Sequence, residues 1–315
     1  MSNINKTKDR SIGFQFLVSF PTLLFLVNLF LTVFVRGTYQ PKNRTIYILV
    51  LVLIWIGLLL ATIRGKGKER SPYDICSAIY LFLLVWEIFA RITLSWNQTL
   101  FPCIEDVCAV FITDWSDMLE GVFSSMKILL IGYGIALGFG NFLGLIVGYN
   151  ERLSKDFIPI SKVISSIPPI VYTPYLIALL PSFNSASISV MAFALFWPTF
   201  LGMITWVQNI ESKILDSART LNVGIFTMLF KIILPYTVPA IINSIRIRFS
   251  MSFMILIMAE MIGAQSGLGY YVKKFSDYID FARVLAGIIL IGLVITLANF
   301  LLGKLEKTAV KWEKV

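Results

Sequence analysis

Residues 132–150 read GYGIALGFGNFLGLIVGYN, a stretch without a single charged side chain. A helix needs about 20 mostly apolar residues to cross about 30 Å of bilayer hydrocarbon, so this segment suffices to span a membrane. Its glycines recur at four-residue spacing: Gly134 and Gly138 are four apart, and Gly140, Gly144 and Gly148 continue the series. Glycines so spaced share one helix face and let a neighbouring backbone approach closely. The stretch therefore predicts a membrane-spanning helix inside a bundle, with packing as the favoured role of its glycines.

The composition of the whole chain is also typical of a membrane protein. Of the 315 residues, 57% are hydrophobic and 14% are charged, against about 45–50% and about 25% in soluble proteins. A soluble fold must cover its surface with ions, whereas a fold embedded in a bilayer needs them only at its ends. The net charge is +9, but the lysines and arginines form short clusters beside apolar runs. Because no basic stripe is interleaved with aromatic residues, the distribution argues against nucleic-acid binding.

Eight segments have the length and polarity of a membrane span, so we predict an all-α polytopic membrane protein with about eight transmembrane helices. The segments are 14–35, 46–63, 75–94, 128–149, 158–180, 188–210, 238–262 and 284–303. The first follows three basic residues, which also fits a signal peptide. Its apolar run is too long for one and no small-residue cleavage site follows, so an anchor helix is favoured.

The loops between these segments set the orientation. With the N-terminus inside, the inside segments hold 16 lysines and arginines and the outside segments hold 6. The positive-inside rule therefore predicts that both termini are cytoplasmic. Residues 97–123 carry five acidic residues and no lysine or arginine, which suits an outside loop.

Two further features lie near this predicted outer side. Glu87 and Arg91 stand four residues apart on the third span, so they can pair on one helix face. Cys103 and Cys108 could form a disulfide in an extracytoplasmic loop, but two free thiols are the favoured state.

Two spans carry residues that a lipid-facing helix avoids. The fifth contains Pro168, Pro169 and Pro174, and a proline inside a helix removes a hydrogen bond and clashes with the preceding turn. We expect a bent or broken helix, either lining a translocation path or merely kinked. The seventh carries Glu260, followed by Gly263. Because a carboxylate within a span costs at least about 2.5 kcal/mol, Glu260 is predicted to be a pathway or gate residue, with pairing across helices as the alternative.

Residues 211–235, ESKILDSARTLNVGIFTMLFKIILP, are too polar to span and face the cytoplasm in the predicted topology. Apolar residues recur at helical spacing in two runs: Ile214, Leu215, Ala218 and Leu221, then Ile225, Met228, Leu229 and Ile232. Two short amphipathic helices are predicted, joined by a turn at Asn222 to Gly224 in which Asn222 is left-handed, and Pro235 is expected to stop the second. The pair would present an apolar surface to the membrane interface or to a groove on a soluble partner.

This loop resembles the cytoplasmic E-A-A…G…I-x-L-P loop of permeases from binding-protein-dependent ABC importers. Asp216 stands where E is usual, Ser217 stands where the first A is usual, and Ala218 keeps the second A. Asn222 replaces G, and the closing I-x-L-P, which ends at Pro235, is intact.

Other stretches resemble the sulfonate/taurine/nitrate-like branch of these permeases. Residues 86–91, WEIFAR, are similar to its first core span, and 167–169 match its I-P-P. Residues 259–270, AEMIGAQSGLGY, closely resemble its A-E-M-x-G-A-x-S-G-L-G-Y, the most specific piece. The resemblance covers roughly residues 75–315.

The resemblance implies a six-helix permease core, assigned to 73–315, with 1–72 as a two-span N-terminal extension. It implies a prokaryotic plasma membrane location and a translocation path for a small polar solute such as an organic sulfonate, nitrate or a vitamin precursor. The implied partners are two copies of an ATP-binding cassette subunit, an extracytoplasmic substrate-binding protein and a second permease subunit in a homodimer. The altered EAA-like loop would dock on the cassette subunit.

Chemistry of other kinds has little support in the sequence. The chain contains no G-x-x-x-x-G-K-[ST] loop, so ATP hydrolysis is expected in a partner chain. It has no histidine, and no catalytic residue, metal site or cofactor is predicted. The alternatives are a secondary transporter that uses Glu260 as its coupling site and, with less support, an integral membrane enzyme.

Overall fold

A computed structural model describes residues 19–35, 44–64, 71–91 and 100–309, and the regular structure within these ranges is entirely helical. The helices are α1 Phe20–Phe34, α2 Arg44–Arg64, α3 Ser71–Arg91, α4 Ile104–Thr113, α5 Trp115–Tyr149, α6 Glu151–Ser165, α7 Pro169–Leu179, α8 Phe183–Gln208, α9 Ser212–Thr220, α10 Ile225–Thr227, the π-helix π1 Met228–Ile233, α11 Leu234–Gly263, α12 Leu268–Asp277 and α13 Phe281–Ala309. The predicted all-α class is confirmed.

Six helices within the described ranges are long and apolar enough to cross a membrane, and a bent pair gives a seventh. The six are Arg44–Thr62, Ser71–Arg91, Trp115–Tyr149, Phe183–Gln208, Ile225–Gly263 and Phe281–Lys304. The bent pair joins α6 to α7. The first predicted span, 14–35, falls partly outside the described residues, and its described part is the 15-residue apolar helix α1. The composition of the helices therefore supports a multi-pass membrane protein.

Packing divides the chain into two compact units, Met1–Trp115 with Phe275–Ala286, and Ser116–Lys274 with Gly287–Val315. In the first unit, α1, α2 and α3 pack around Phe25, Tyr47, Leu51 and Tyr80. The Tyr80 hydroxyl donates to the Leu51 carbonyl at 2.9 Å. This bond pairs the hydroxyl of Tyr80, which is buried between apolar helices and has no access to water. The division of the sequence at residue 72 stays a prediction.

The predicted pair of Glu87 and Arg91 is present and fully buried in this unit. The structure adds Glu105, whose carboxylate accepts from Arg91 Nη2 at 2.7 Å. Glu105 lies on α4, within the stretch 97–123 that the sequence analysis treated as a loop, and most of that stretch is helical. Cys103 and Cys108 are free thiols, as predicted.

In the second unit, α5 packs along α8 through a stripe of small residues: Gly132, Ala136, Gly140, Gly144 and Gly148. A Cβ added to Gly144 would lie 2.6 Å from the Met203 Cβ and 2.8 Å from the Phe200 carbonyl oxygen. Gly134 and Gly138 were predicted to belong to this series, but a Cβ on either would meet nothing within 4 Å. The prediction was wrong for these two because they lie on another face of the helix.

Candidate functional site

The apolar stripe of the predicted cytoplasmic loop faces the protein. Ala218 on α9 is only 5% exposed and belongs to a cluster with Leu145 of α5 and Met203 and Val207 of α8. The predicted exposure of this surface was wrong for Ala218, Met228 and Leu229, which are buried, whereas Leu221 and Ile225 of the same runs are exposed. A nine-residue helix is marginal by itself, so its apolar face is needed to hold it on the spans.

The turn after α9 has the predicted geometry. Asn222 has a φ of 49°, in the left-handed region that asparagine tolerates better than most side chains. Its N–H donates to the Arg219 carbonyl at 3.0 Å. Gly224 is extended, with a φ of −62°, and a Cβ there would meet open space, so neither backbone conformation nor packing requires glycine at this position.

Two residues of the predicted apolar runs, Leu221 and Ile225, face outward around this turn together with Phe226. Leu221 is 77% exposed and Phe226 is 76% exposed, with Ile225 beside them. We call these three residues the turn surface. Asp216 flanks it on α9, with its carboxylate 3.2 Å from Arg219 in an exposed ion pair. The turn surface lies where the polar helix α9 meets the start of the helix Ile225–Gly263, and contiguous exposed apolar side chains of this kind are typical of interaction sites.

Pro235 does not end the second helix, contrary to the prediction. Helical structure runs without a break from Ile225 to Gly263. The turn before the proline is the π-helix π1, and Pro235 falls in the first turn of α11. Inside a continuous helix a proline lacks the N–H that would pair with the preceding turn and its ring crowds that turn, and here the preceding turn is the wider π-helix. The loop is therefore continuous with the seventh predicted span.

The proline-rich fifth span is broken, as predicted. The helices α6 and α7 meet at 89°, with Pro168 as the N-cap of α7, Pro169 at its first position and Pro174 inside it. The helix α6 begins at Glu151, before the predicted span 158–180, and this additional first part is polar. Whether the prolines line a translocation path stays a prediction.

Glu260 on α11 caps the N-terminus of α12. Its Oε1 accepts from the Ser125 hydroxyl at 2.6 Å, and its Oε2 accepts from the Gly269 N–H at 2.7 Å. The Ser125 oxygen in turn accepts from the Leu268 N–H at 2.8 Å. Two N–H groups of the first turn of α12, which have no partner within the helix, are thus satisfied. Glu260 is only 1% exposed and bonds across helices to Ser125, and its predicted role as a pathway or gate residue stays a prediction.

The glycines near Glu260 fit the same cap. Gly267 has a φ of 121°, which favours glycine, and a Cβ there would lie 2.5 Å from the Glu260 carboxylate. A Cβ on Gly269 would lie 2.5 Å from the Ile257 carbonyl oxygen, and one on Gly263 would lie 2.7 Å from the Phe183 ring. The A-E-M…S-G-L-G-Y pattern therefore builds a compact α11–α12 corner, and Gly263 packs against a ring at this corner.

Two cavities adjoin these elements within the second unit. One of about 620 Å³ lies between α5, α7 and α8 and is lined mainly by apolar and aromatic side chains, including Phe139, Tyr175 and Phe196. The other, of about 500 Å³, is lined by polar side chains that include Asn184 and Gln265. The second cavity borders the Glu260 corner, because Gln265 belongs to the segment between α11 and α12.

Comparisons with known proteins agree with this architecture. The chain is 28% identical over 272 residues to the nitrate import permease protein NrtB of Leptolyngbya laminosa, covering 81% of this chain and 93% of that protein. It is 25% identical over 182 residues to a protein of Bacillus subtilis (strain 168) named as an aliphatic sulfonates transport permease, SsuC, covering 58% of this chain and 66% of that protein.

A solved structure shows the same fold. A chain of the MetNI methionine ABC transporter, in an inward-facing conformation, superposes with a TM-score of 0.52 at 16% identity, over 62% of this chain and 98% of that chain. The family model described as the binding-protein-dependent transport system inner membrane component matches residues 140–311. This match includes the α9 loop and the Glu260 corner and covers more than half of the sequence. The chain therefore belongs to the family of binding-protein-dependent transport system inner membrane components, the permeases of ABC importers.

Proposed function

We propose that this chain is the permease subunit of an ATP-driven importer and that the turn surface docks on a separate ATP-binding cassette subunit. One observation carries this proposal: the exposed apolar turn directly follows α9, and the apolar face of α9 packs on the spans. Leu221 and Phe226 are free to contact a partner, whereas Ala218 joins α9 to α5 and α8. A partner that moves the turn would therefore move these spans.

The arrangement suits alternating access. Both sides of the turn are anchored in one cluster, because Met228 and Ile233 of π1 join the residues around Ala218. Since π1 continues into α11, displacement of the turn also reaches the helix that carries Glu260. ATP binding in two cassette subunits would draw two copies of this chain into a new relative position and open the path. A ligand shifts an equilibrium between two conformations only by its differential affinity for them. In this proposal ATP, bound to the cassette subunits, supplies that difference in affinity.

The proposed assembly is a homodimer of this chain with two cassette subunits and an extracytoplasmic binding protein, in a prokaryotic plasma membrane with both termini in the cytoplasm. We propose a small oxyanion, an organic sulfonate or nitrate, as the solute. The names of the relatives NrtB and SsuC support this class. The secondary-transporter alternative lacks support, because both Glu260 carboxylate oxygens already accept hydrogen bonds within the α11–α12 corner.

Affinity purification of the tagged full chain from its native membrane tests the proposal. We expect a cassette ATPase, recognised by its Walker A motif, to co-purify and to hydrolyse ATP. Phe226→Ala should weaken this association at least about tenfold, since truncating an aromatic anchor typically costs the most at an interface. Phe123→Ala is the matched control, because Phe123 is 72% exposed but lies near the predicted outer end of α5.

Ala218→Asp should also lose the ATPase, because a carboxylate inside the cluster around Ala218 would release α9 from the spans. This variant differs from Phe226→Ala by lowering the thermal stability of the permease itself. Purification of the wild-type chain without any cassette ATPase, or equal ATPase recovery with Phe226→Ala and Phe123→Ala, would contradict the docking role.

A further inference from the structure

A guanidinium group lies within the spans, at the contact of α11 with α8. Arg248 donates from Nη2 to the Pro198 carbonyl at 3.3 Å, and its Cζ lies 5.3 Å from the centre of the Trp206 ring. A Cβ on Gly202 would lie 2.5 Å from Nη2. The α8 helix thus has a backbone notch at Gly202 that accommodates the guanidinium, with the Trp206 indole beside it.

The described protein does not neutralise this cation. No described carboxylate forms an ion pair with Arg248, and its Nη1 is buried without a hydrogen-bond acceptor. Glu260, the carboxylate within the same helix, lies 12 residues further on, about 18 Å along the axis, and its oxygens are occupied by Ser125 and Gly269. A guanidinium has five N–H donors, and a buried charge without an anion is costly. An anion that the described residues do not supply would complete the site.

Snorkelling to the membrane surface does not describe the position of Arg248. The guanidinium lies at the level of Gly202, six residues before the end of α8 at Gln208, which is about 9 Å inside that end. It contacts the backbone of α8 and the Trp206 ring. Arg246, two residues earlier, shows the contrast: it is exposed, and a Cβ on Gly303 of α13 would lie 3.9 Å from its Cζ.

We propose that Arg248 coordinates the translocated oxyanion, as a specificity-determining residue in the half of the path that leads toward α9. The planar fork of a guanidinium matches two oxygens of a nitrate or sulfonate group, and the Trp206 ring restricts the approach to one side. This inference rests on the proposed transport function and assigns its anion to a single site. It also predicts that neutral solutes of similar size are rejected, because they leave the cation unpaired.

Binding to the permease alone tests the site without any ATPase. The full chain is placed in nanodiscs and titrated with nitrate, which quenches indole fluorescence. We expect a saturable component of quenching that is absent in Trp206→Phe. Methanesulfonate should compete with nitrate and reduce this component, and chloride should not produce it. Arg248→Gln should raise the half-saturating nitrate concentration at least about tenfold, the usual effect of losing a charge-assisted hydrogen bond.

Two further variants keep the test decisive. Arg248→Lys retains the charge but lacks the fork, so it should weaken nitrate binding severalfold even if the glutamine variant fails to fold. Arg246→Gln is the matched control and should stay within about twofold of wild type. The absence of a saturable component in wild type, or equal affinities in the wild type and the two Arg248 variants, would overturn the proposal.

Two more arms separate the possible sources of failure. In nanodiscs of galactolipid, which contain no phosphate, nitrate affinity should equal that in phosphatidylcholine; a sharp rise would assign Arg248 to a lipid phosphate and refute the proposal. In proteoliposomes with the cassette ATPase and binding protein, Arg248→Gln should lower ATP-driven nitrate or methanesulfonate uptake at least tenfold with ATPase association unchanged. If Arg248→Gln leaves uptake unchanged, the anion site is refuted and the transport function is not. If nitrate binding depends on Arg248 but the wild type shows no ATP-driven uptake, the transport function is refuted and the anion site is not.

Discussion

Replacement of Ser125 by alanine isolates the energetic contribution of the α12 cap. The hydroxyl makes two buried hydrogen bonds, donating to Glu260 at 2.6 Å and accepting from the Leu268 N–H at 2.8 Å. Alanine leaves both partners in place without their bonds. An unsatisfied buried polar group costs about 1–3 kcal/mol, so local opening of the α11–α12 corner should become about 10- to 100-fold more frequent, at 1.4 kcal/mol per factor of ten.

Hydrogen–deuterium exchange of the chain in nanodiscs measures this opening directly. We expect the amide of Leu268 to exchange about 10- to 100-fold faster in Ser125→Ala, because exchange follows the local opening equilibrium. Ser124→Ala is the control. The Ser124 hydroxyl bonds to the Ser266 hydroxyl at 2.8 Å in a part-buried position, so water can take the place of the lost hydroxyl. This substitution should change the exchange rate of Leu268 by less than about threefold. Equal exchange rates in the two variants would show that the hydrogen bonds of Ser125 do not hold this corner.

Two more predictions follow from packing and burial. Gly144→Ala should destabilise the chain by about 1–3 kcal/mol, the usual cost of overpacking, because its Cβ would lie 2.6 Å from the Met203 Cβ. Gly138→Ala is the control, since its Cβ would meet open space. Thermal unfolding in detergent compares the two variants, and similar losses of stability would contradict the α5–α8 contact. Burial, reinforced by the charge of Glu87, raises the pKa of the Cys103 and Cys108 thiols to about 11, so iodoacetamide should alkylate them at pH 8 about 100-fold more slowly than an ordinary thiol. Rapid alkylation at pH 8 before denaturation would refute their burial.

Much of the membrane architecture could be predicted because the bilayer imposes simple requirements on a chain. A span must be long, apolar and internally hydrogen-bonded, and these requirements are visible in runs such as 188–210 and 284–303. The break at Pro168 and Pro169 and the left-handed conformation of Asn222 were also predictable. In both cases the side chain itself restricts the backbone, so neighbouring helices do not have to be known.

Other features depended on contacts between distant residues. The spacing of Ile214, Leu215 and Ala218 predicted an amphipathic helix, but periodicity alone cannot say whether the apolar face meets the protein or a partner. Glu105 reaches Arg91 from a separate helix, and no local pattern joins the two residues. The prediction that Pro235 ends a helix was wrong, because the helix continues through the π-helix Met228–Ile233, which has no clear sequence signal.

The sequence by itself determined that this chain is a helical membrane protein of the ABC permease family, since hydrophobic length, glycine spacing and the A-E-M…S-G-L-G-Y stretch are properties of consecutive residues. Only the tertiary structure decided the roles of particular side chains. It turned Ala218 inward and Phe226 outward, bonded Glu260 to a helix N-terminus, and left Arg248 without an ion pair to any described carboxylate. The physical reason is that a side chain's exposure and charge pairing depend on residues far away in the chain, which meet only when the helices pack.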